Sequence, residues 1–302
     1  MEANIIIIKI MLKTFNIIVI KMNLSVVILN FNRPDFIKHN IVPALKKNKY
    51  INEIIISHGK EETAFNLEGT KNYKHWGSFN KKYGLSLRFL SAYKSKNKHV
   101  IIMDDDIIPS NDAIEFLFER IKEDERVYGI YGRNIIDGYN TTNCFGKVHI
   151  VLTRCLITTK EMCNYFMKNF RKFEDENVKN SKPYWNGEDI LFSLLSIEKY
   201  KKLPISYDLK HYNRTANYLN FSDSISLVDD HLLYRKKLTN IFLKKLKLNK
   251  RLLFTTELNK KSEIIYFIRN SILINYLYAF VFICLSFILI KKYKIPVNKN
   301  NG

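Results

Sequence analysis

Residues 100–109 read Val-Ile-Ile-Met-Asp-Asp-Asp-Ile-Ile-Pro. An apolar, β-branched run stops abruptly at three carboxylates. A strand buried on both faces has such a continuous run. In open α/β sheets the carboxyl ends of strands are where ligands bind. Asp104, Asp105 and Asp106 repel one another and resist burial unless a cation compensates them. Hard oxygen ligands favour Mg2+ or Mn2+, ions that commonly bridge carboxylates to a substrate diphosphate. The segment predicts an enzyme that holds a metal–nucleotide complex. The plain alternative is an acidic loop after a core strand.

Outward from this strand the chain alternates. Strands are predicted at 24–29 (Leu-Ser-Val-Val-Ile-Leu), 52–57, 100–103, 127–131 and 148–152. Helical patterns run through Ile37, Ile41 and Leu45, over 84–94, over 111–122 behind a cap at Ser110 or Asn111, and over 158–170. Such alternation predicts a mostly parallel sheet in a three-layer α/β/α architecture. The length of 302 residues suffices for one large α/β domain with appendages.

The four cysteines, Cys144, Cys155, Cys163 and Cys284, show neither metal-ligand spacing nor a disulfide framework. A formal charge of +20 admits nucleic acid, an anionic membrane or anionic substrates as partners. The lysines are spread along the chain rather than grouped, so compositional drift explains most of the charge and no nucleic-acid partner is expected.

Both ends carry apolar stretches. Residues 271–290 are uncharged, long enough to cross a bilayer, and flanked by Arg269, Lys291, Lys292 and Lys294, which predicts a single-pass membrane helix. Positive charge on both sides leaves the orientation open. The basic stretch 236–251 suits an anionic leaflet and favours a catalytic domain on the cytosolic side, a lumenal one remaining the alternative. Residues 5–20 are apolar but carry Lys9 and Lys13 on one helical face with Asn16, a poor membrane span. The expected organisation is an N-terminal extension at 1–21, a catalytic domain at 22–243, a basic segment at 244–270, the membrane helix at 271–290 and a basic tail at 291–302.

A second acidic motif, Trp185-Asn-Gly-Glu-Asp-Ile190, opens an apolar helical run. Carboxylates there are favoured by the helix dipole, so ordinary capping is one reading. The order of motifs adds weight: a turn at Asn30-Phe-Asn-Arg33 after the first strand, then Arg88-Phe89, then Asp104-Asp105-Asp106, then Glu188-Asp189, then His231-Leu-Leu-Tyr-Arg235. In this order and spacing, over about 23–242, the chain resembles the GT-A glycosyltransferases. It is most similar to the exostosin-like family (glycosyltransferase family 64), which transfers N-acetylhexosamine from UDP-sugars.

The resemblance implies a GT-A fold and a role for each matching residue. Arg33 and Arg88 would contact the nucleotide, since guanidinium groups suit phosphate oxygens and base edges. Asp104 and Asp105 would meet base or ribose, with Asn30 and His58 also at the nucleotide. Asp106, with Asp104, would hold Mn2+ (or Mg2+). Asp189 would lie at the sugar's reactive face, with Glu188 beside it and Arg235 on the diphosphate or sugar. His231 and His211 are candidate extra contacts, although a lone histidine is more often structural.

There are departures. Ser57-His58-Gly59 stands where the family has a Trp-Asn-Asn-like segment, and Gly187 stands where it has Cys. Retention of anomeric configuration is implied. The alternative is an inverting enzyme with Asp189 as general base. A nucleotidyltransferase would need a Gly-rich phosphate loop near the triplet, which the sequence lacks. The alternative of another class is a basic, membrane-anchored scaffold for nucleic acid or anionic lipid. The acceptor, whether glycan, glycoprotein or glycolipid, is not encoded in any motif.

Overall fold

Leu24–Asn30 forms the first strand, β1, and every one of its seven residues is buried. Among the described residues it is the third strand from one edge of an eight-stranded sheet, pairing in parallel with β2 (Ile51–His58) on one side and β4 (His99–Met103) on the other. The short β3 (Lys71–Lys74) extends the parallel half beyond β2. The computed structural model describes residues 23–135, 138–173, 186–209, 213–215 and 230–248.

Alternate residues of β1 face opposite layers, as the period of two requires. Leu24, Val26 and Ile28 join one apolar cluster with Ile101 and Met103 of β4. Two helices close that face. The first, α1 (34–46), opens at Pro34 and widens into a π turn at Ile37–Ile41 just ahead of Pro43. A proline has no N–H for the preceding turn, and the widened turn absorbs the lost bond. After α2 (Ser78–Tyr83) and α3 (Leu87–Tyr93) comes the second covering helix, α4 (Asn111–Glu123), capped by Ser110, whose hydroxyl accepts from the Ala113 amide at 3.1 Å. It buries Ala113, Ile114, Leu117, Phe118 and Ile121, a single helical stripe.

The other face is aromatic. Phe89 of α3 stacks on Phe192 at 4.2 Å and meets Phe166 at 4.5 Å. Phe166 comes from α5 (Lys160–Asn169) and Phe192 from α6 (Glu188–Tyr200). The result is the expected mixed α/β architecture around a mostly parallel sheet, with helices on both faces.

Three expectations shift in detail. Beyond the short β5 (Ile107–Pro109), the strand expected at 127–131 contracts to β6 (Tyr128–Gly129). After β7 (Gly132–Arg133) and β8 (Gly146–Lys147), that at 148–152 contracts to β9 (Ile150–Val151), which pairs with β7 in a separate two-stranded ribbon. A strand absent from the sequence reading, β10 (Cys155–Thr159), inserts antiparallel between β4 and β6. Its Thr158 and Thr159 were expected to start a helix; instead Thr159 ends the strand and caps α5 by accepting from the Met162 amide.

Among the described residues no helix is long and apolar enough to cross a membrane. The membrane segment expected at 271–290, the extension at 1–21, the basic tail and His211 all lie outside the described residues. The chain divides into two compact units, 1–249 and 250–302, and the described residues belong to the first. The last described helix, α7 (His231–Leu246), runs past the boundary expected at 243.

Truncating Phe89 removes one ring from a stack in which every ring is fully buried. Phe89→Ala is expected to cost about 3–5 kcal/mol of stability. Phe79→Ala, at a ring 50% exposed, should stay within about 0.5 kcal/mol. Denaturant midpoints of the two variants check the contrast, and equal midpoints would contradict the packing of this layer.

Candidate functional site

At the tip of β1 the chain turns through Phe31, Asn32 and Arg33, and one carboxylate pins the turn. Asp105 accepts from the Phe31 and Asn32 amides at 3.3 and 3.4 Å, and from the Arg33 guanidinium at 2.5 Å. Its side chain is 7% exposed, so these partners supply the solvation that water would otherwise give. Parallel pairing of β1 with β4 brings the two tips together and lets residue 105 reach residue 33.

The neighbouring Asp104 accepts from Arg88 at 2.5 Å. Arg88 is almost fully buried at the start of α3, where its Nε also donates to the Leu85 carbonyl at 3.1 Å. Its other terminal nitrogen lies 3.9 Å from Glu188. Burial disfavours its charge, but Asp104 and then Glu188 outweigh that and hold the guanidinium above its ordinary pKa. Arg88 therefore ties the acidic tip of β4 to the acidic start of α6.

At that helix start, both oxygens of Asp189 accept from Arg235 of α7, at 2.9 and 2.7 Å. Arg235 also donates to the side-chain Oδ1 of Asn186 at 2.9 Å, and its guanidinium lies 4.3 Å over the Tyr139 ring. The Asn186 amide meets His231 Nδ1 at 2.6 Å. Burial first, and Arg235 second, lower the His231 pKa, so this histidine is a neutral partner. The approach of α7 is close: a Cβ on Gly187 would come within 2.4 Å of the Leu238 Cδ1. Glycine at 187 lets α7 bring Arg235 onto Asp189.

These groups line one cleft of about 910 Å3 at the carboxyl ends of β1 and β4. Arg33, Arg88, Asp104, Asp105, Asp106, Glu188, Asp189, His231 and Arg235 are all on its wall. Asn30 and His58, expected at the nucleotide, are not. They lie fully buried beneath the floor, where they link the tips of β1 and β2. The Asn30 amide donates to the Thr63 carbonyl and to His58 Nδ1, both at 2.8 Å, which leaves His58 Nε2 to donate to Asn72 at 3.0 Å. Burial lowers the His58 pKa, in keeping with this neutral tautomer. The sequence presents both residues at strand tips but does not reveal that their side chains turn inward.

Three further wall residues, Arg133, Tyr139 and Arg154, carry no motif. Arg154 is separated by Thr153 from the short apolar run 150–152, so no apolar run delivers it directly as one delivers the acidic triplet. Arg133 and Tyr139 lie in the Gly-rich stretch 129–139, which as a sequence gives no sign of facing the cleft.

The residues present fit a divalent cation. Asp106 Oδ1 is buried and has no hydrogen-bond partner. Burial, then the charge of Asp104, raise its pKa, which marks a carboxylate short of positive charge. Among the described residues no three His, Cys, Asp or Glu side chains converge into a closed cage. An oxygen ligand or two from protein, completed by water and substrate phosphate, is how Mg2+-like ions are usually held. Cys155 and Cys163 are buried thiols with raised pKa, and neither belongs to the cleft wall.

A family model described as "Glycosyl transferase family 64 domain" matches residues 24–257. No curated protein matches the chain. Among solved structures, S. aureus TarS 1-349 is similar at 15% identity and a TM-score of 0.41, over 64% of this chain and 60% of that one. The same protein "in complex with UDP" is similar at 14% identity and a TM-score of 0.47, over 76% and 67% of the two chains.

Glu188 supplies a pH test. It is fully buried, and burial first, then Asp189, push its carboxyl up to about 7. A carboxyl raised on folding stabilises the fold below its unfolded pKa, and that contribution is lost as pH rises through the folded value. The unmodified protein should therefore lose stability between about pH 4.5 and 7 relative to Glu188→Gln. Paired unfolding curves across that window, in chelator, check it; parallel pH profiles would refute it.

Proposed function

The chain belongs to glycosyltransferase family 64, and from that premise we propose a metal-dependent transfer of a sugar, an N-acetylhexosamine, from a UDP-sugar to a hydroxyl of a glycan, glycoprotein or glycolipid. Its being a nucleotide-sugar-dependent glycosyltransferase follows from the family itself and sets aside the non-enzymatic scaffold. The observation that carries the finer reading is the bridge made by Arg88. It joins the acidic tip of β4 to Glu188-Asp189, so the groups suited to a diphosphate and those suited to a sugar face one cleft. The uracil and the N-acetylhexosamine rest on family membership alone.

In this reading Arg33 and Arg88 would lie beside the nucleotide, and Asp106, with Asp104 adjoining, would hold Mn2+ or Mg2+. When bound, that ion would neutralise charge gathering on the UDP leaving group. The bond between sugar C1 and the diphosphate oxygen breaks, and its electron pair leaves with UDP. The acceptor hydroxyl oxygen bonds to C1 from the same face, and its proton passes to the departing phosphate oxygen. Retention is supported by the state of Asp189. A carboxylate gripped at both oxygens by Arg235 is held in place to face a cationic sugar, and its oxygens are engaged rather than free to turn toward an acceptor hydroxyl. Glu188, with its raised pKa, can present a protonated carboxyl as a hydrogen-bond donor to a sugar hydroxyl.

Attachment to a membrane through 271–290, with the catalytic unit on the cytosolic side, remains part of this proposal. It rests on the uncharged run and its basic flanks.

Nucleotide release from a panel of UDP- and GDP-sugars, with Mn2+ or with chelator, tests the reading. One UDP-sugar is expected to turn over only with the ion. Asp106→Asn should lower that rate about a thousandfold, the scale of several kcal/mol of charge stabilisation. An unchanged rate in Asp106→Asn would sink the metal role, and turnover of GDP-sugars alone would sink the donor. The anomeric configuration of the product linkage, read by NMR, decides retention.

A further inference from the structure

Among the described cleft carboxylates, Glu188 shares Arg88 at 3.9 Å, while Asp104, Asp105, Asp106 and Asp189 each face one arginine, and three of those four pairs are closed. Arg33–Asp105 and Arg88–Asp104 stand at 2.5 Å, and Arg235–Asp189 at 2.7 Å. The fourth, Arg154–Asp106, stands open at 3.8 Å. The two atoms that face each other across that gap, Arg154 Nε and Asp106 Oδ1, are both buried and both without a hydrogen-bond partner. Their side chains are otherwise 30% and 27% exposed toward the cleft. A buried donor and a buried acceptor left unmade each carry a desolvation cost, so a built site with this gap calls for a ligand of both charges.

The position is fixed by the backbone. Cys155 pairs antiparallel with Met103, which sets Arg154 opposite Asp104, and the Asp104 amide donates to the Arg154 carbonyl at 3.2 Å. The guanidinium lies 4.9 Å from the Tyr131 ring, which orients its plane. A strand register, a hydrogen bond and a ring thus hold this arginine beside the acidic triplet.

We infer that Arg154 binds the diphosphate of the donor, standing next to the cation that Asp106 would hold. The inference rests on the nucleotide-sugar reading above and adds to it a phosphate contact that no sequence motif marks. A cation on Asp106 and a phosphate oxygen on Arg154 fill the gap with complementary charge, and the guanidinium then assists departure of UDP.

Calorimetry on the full chain in Mn2+, with UDP and with uridine as probes, tests this. Arg154→Gln should weaken UDP about 10–100-fold, the scale of a lost charge-assisted hydrogen bond, and leave uridine unchanged. Arg154→Lys, which keeps the charge, should recover part of the UDP affinity. Unaltered UDP binding in Arg154→Gln overturns the inference while the nucleotide reading stands. Equal weakening of UDP and uridine also overturns it, because that marks a change in cleft shape. Failure of the unmodified chain to bind UDP overturns the nucleotide-sugar reading and this inference together.

Discussion

The site depends on the burial of Arg88. Without a cation between them, the carboxylates at the tip of β4 and those at the start of α6 would repel across the cleft. Arg88 is gripped by Asp104 and approaches Glu188, with its Nε spent on the Leu85 carbonyl. Removing one member of such a set leaves a charge buried and unpaired, which is far more costly than the set is stabilising. The other arginines repeat the arrangement at the edges, and the cleft becomes a mosaic of opposite charges rather than an acidic hole. That mosaic also limits the weight to be placed on the chain's +20 charge: the functional groups are locally near balance.

The fold was legible where the sequence is repetitive and apolar. The run before the acidic triplet, the Leu24–Leu29 run and the stripe of α4 each have one plausible burial, and the structure has it. The edge of the sheet was harder. In β6 only two residues make strand pairing, too few for a period to emerge. β10 is five residues of apolar and threonine character that run straight into a helix, and Thr159 serves both elements. Periodicity has no way to divide a residue that ends one element while capping the next.

The site was legible as chemistry but not as direction. Asp104, Glu188 and Asp189 are charged groups at element ends, Arg235 lies one turn into α7, and charge that borders an apolar run reaches the cleft. Asn30 and His58 sit at strand tips too, yet they bond to each other under the floor, in a direction set by the Thr63 carbonyl and Asn72 from a separate loop and strand. Arg154 shows the converse: an ordinary surface residue as a sequence, it becomes a cleft residue once β10 pairs antiparallel with β4.

The close approach of Leu238 to Gly187 couples two distant positions in the history of the chain. The family resemblance places a cysteine at 187, and a side chain there collides with the present leucine at 2.4 Å. The obstructing atom is a methyl at the end of a flexible side chain, so a larger residue at 187 becomes tolerable once 238 shortens or turns. Across related sequences the two positions should drift as a pair, with bulk at one answered by slimness at the other. The grip of Arg235 on Asp189, one helical turn from Leu238, is what such paired drift would preserve.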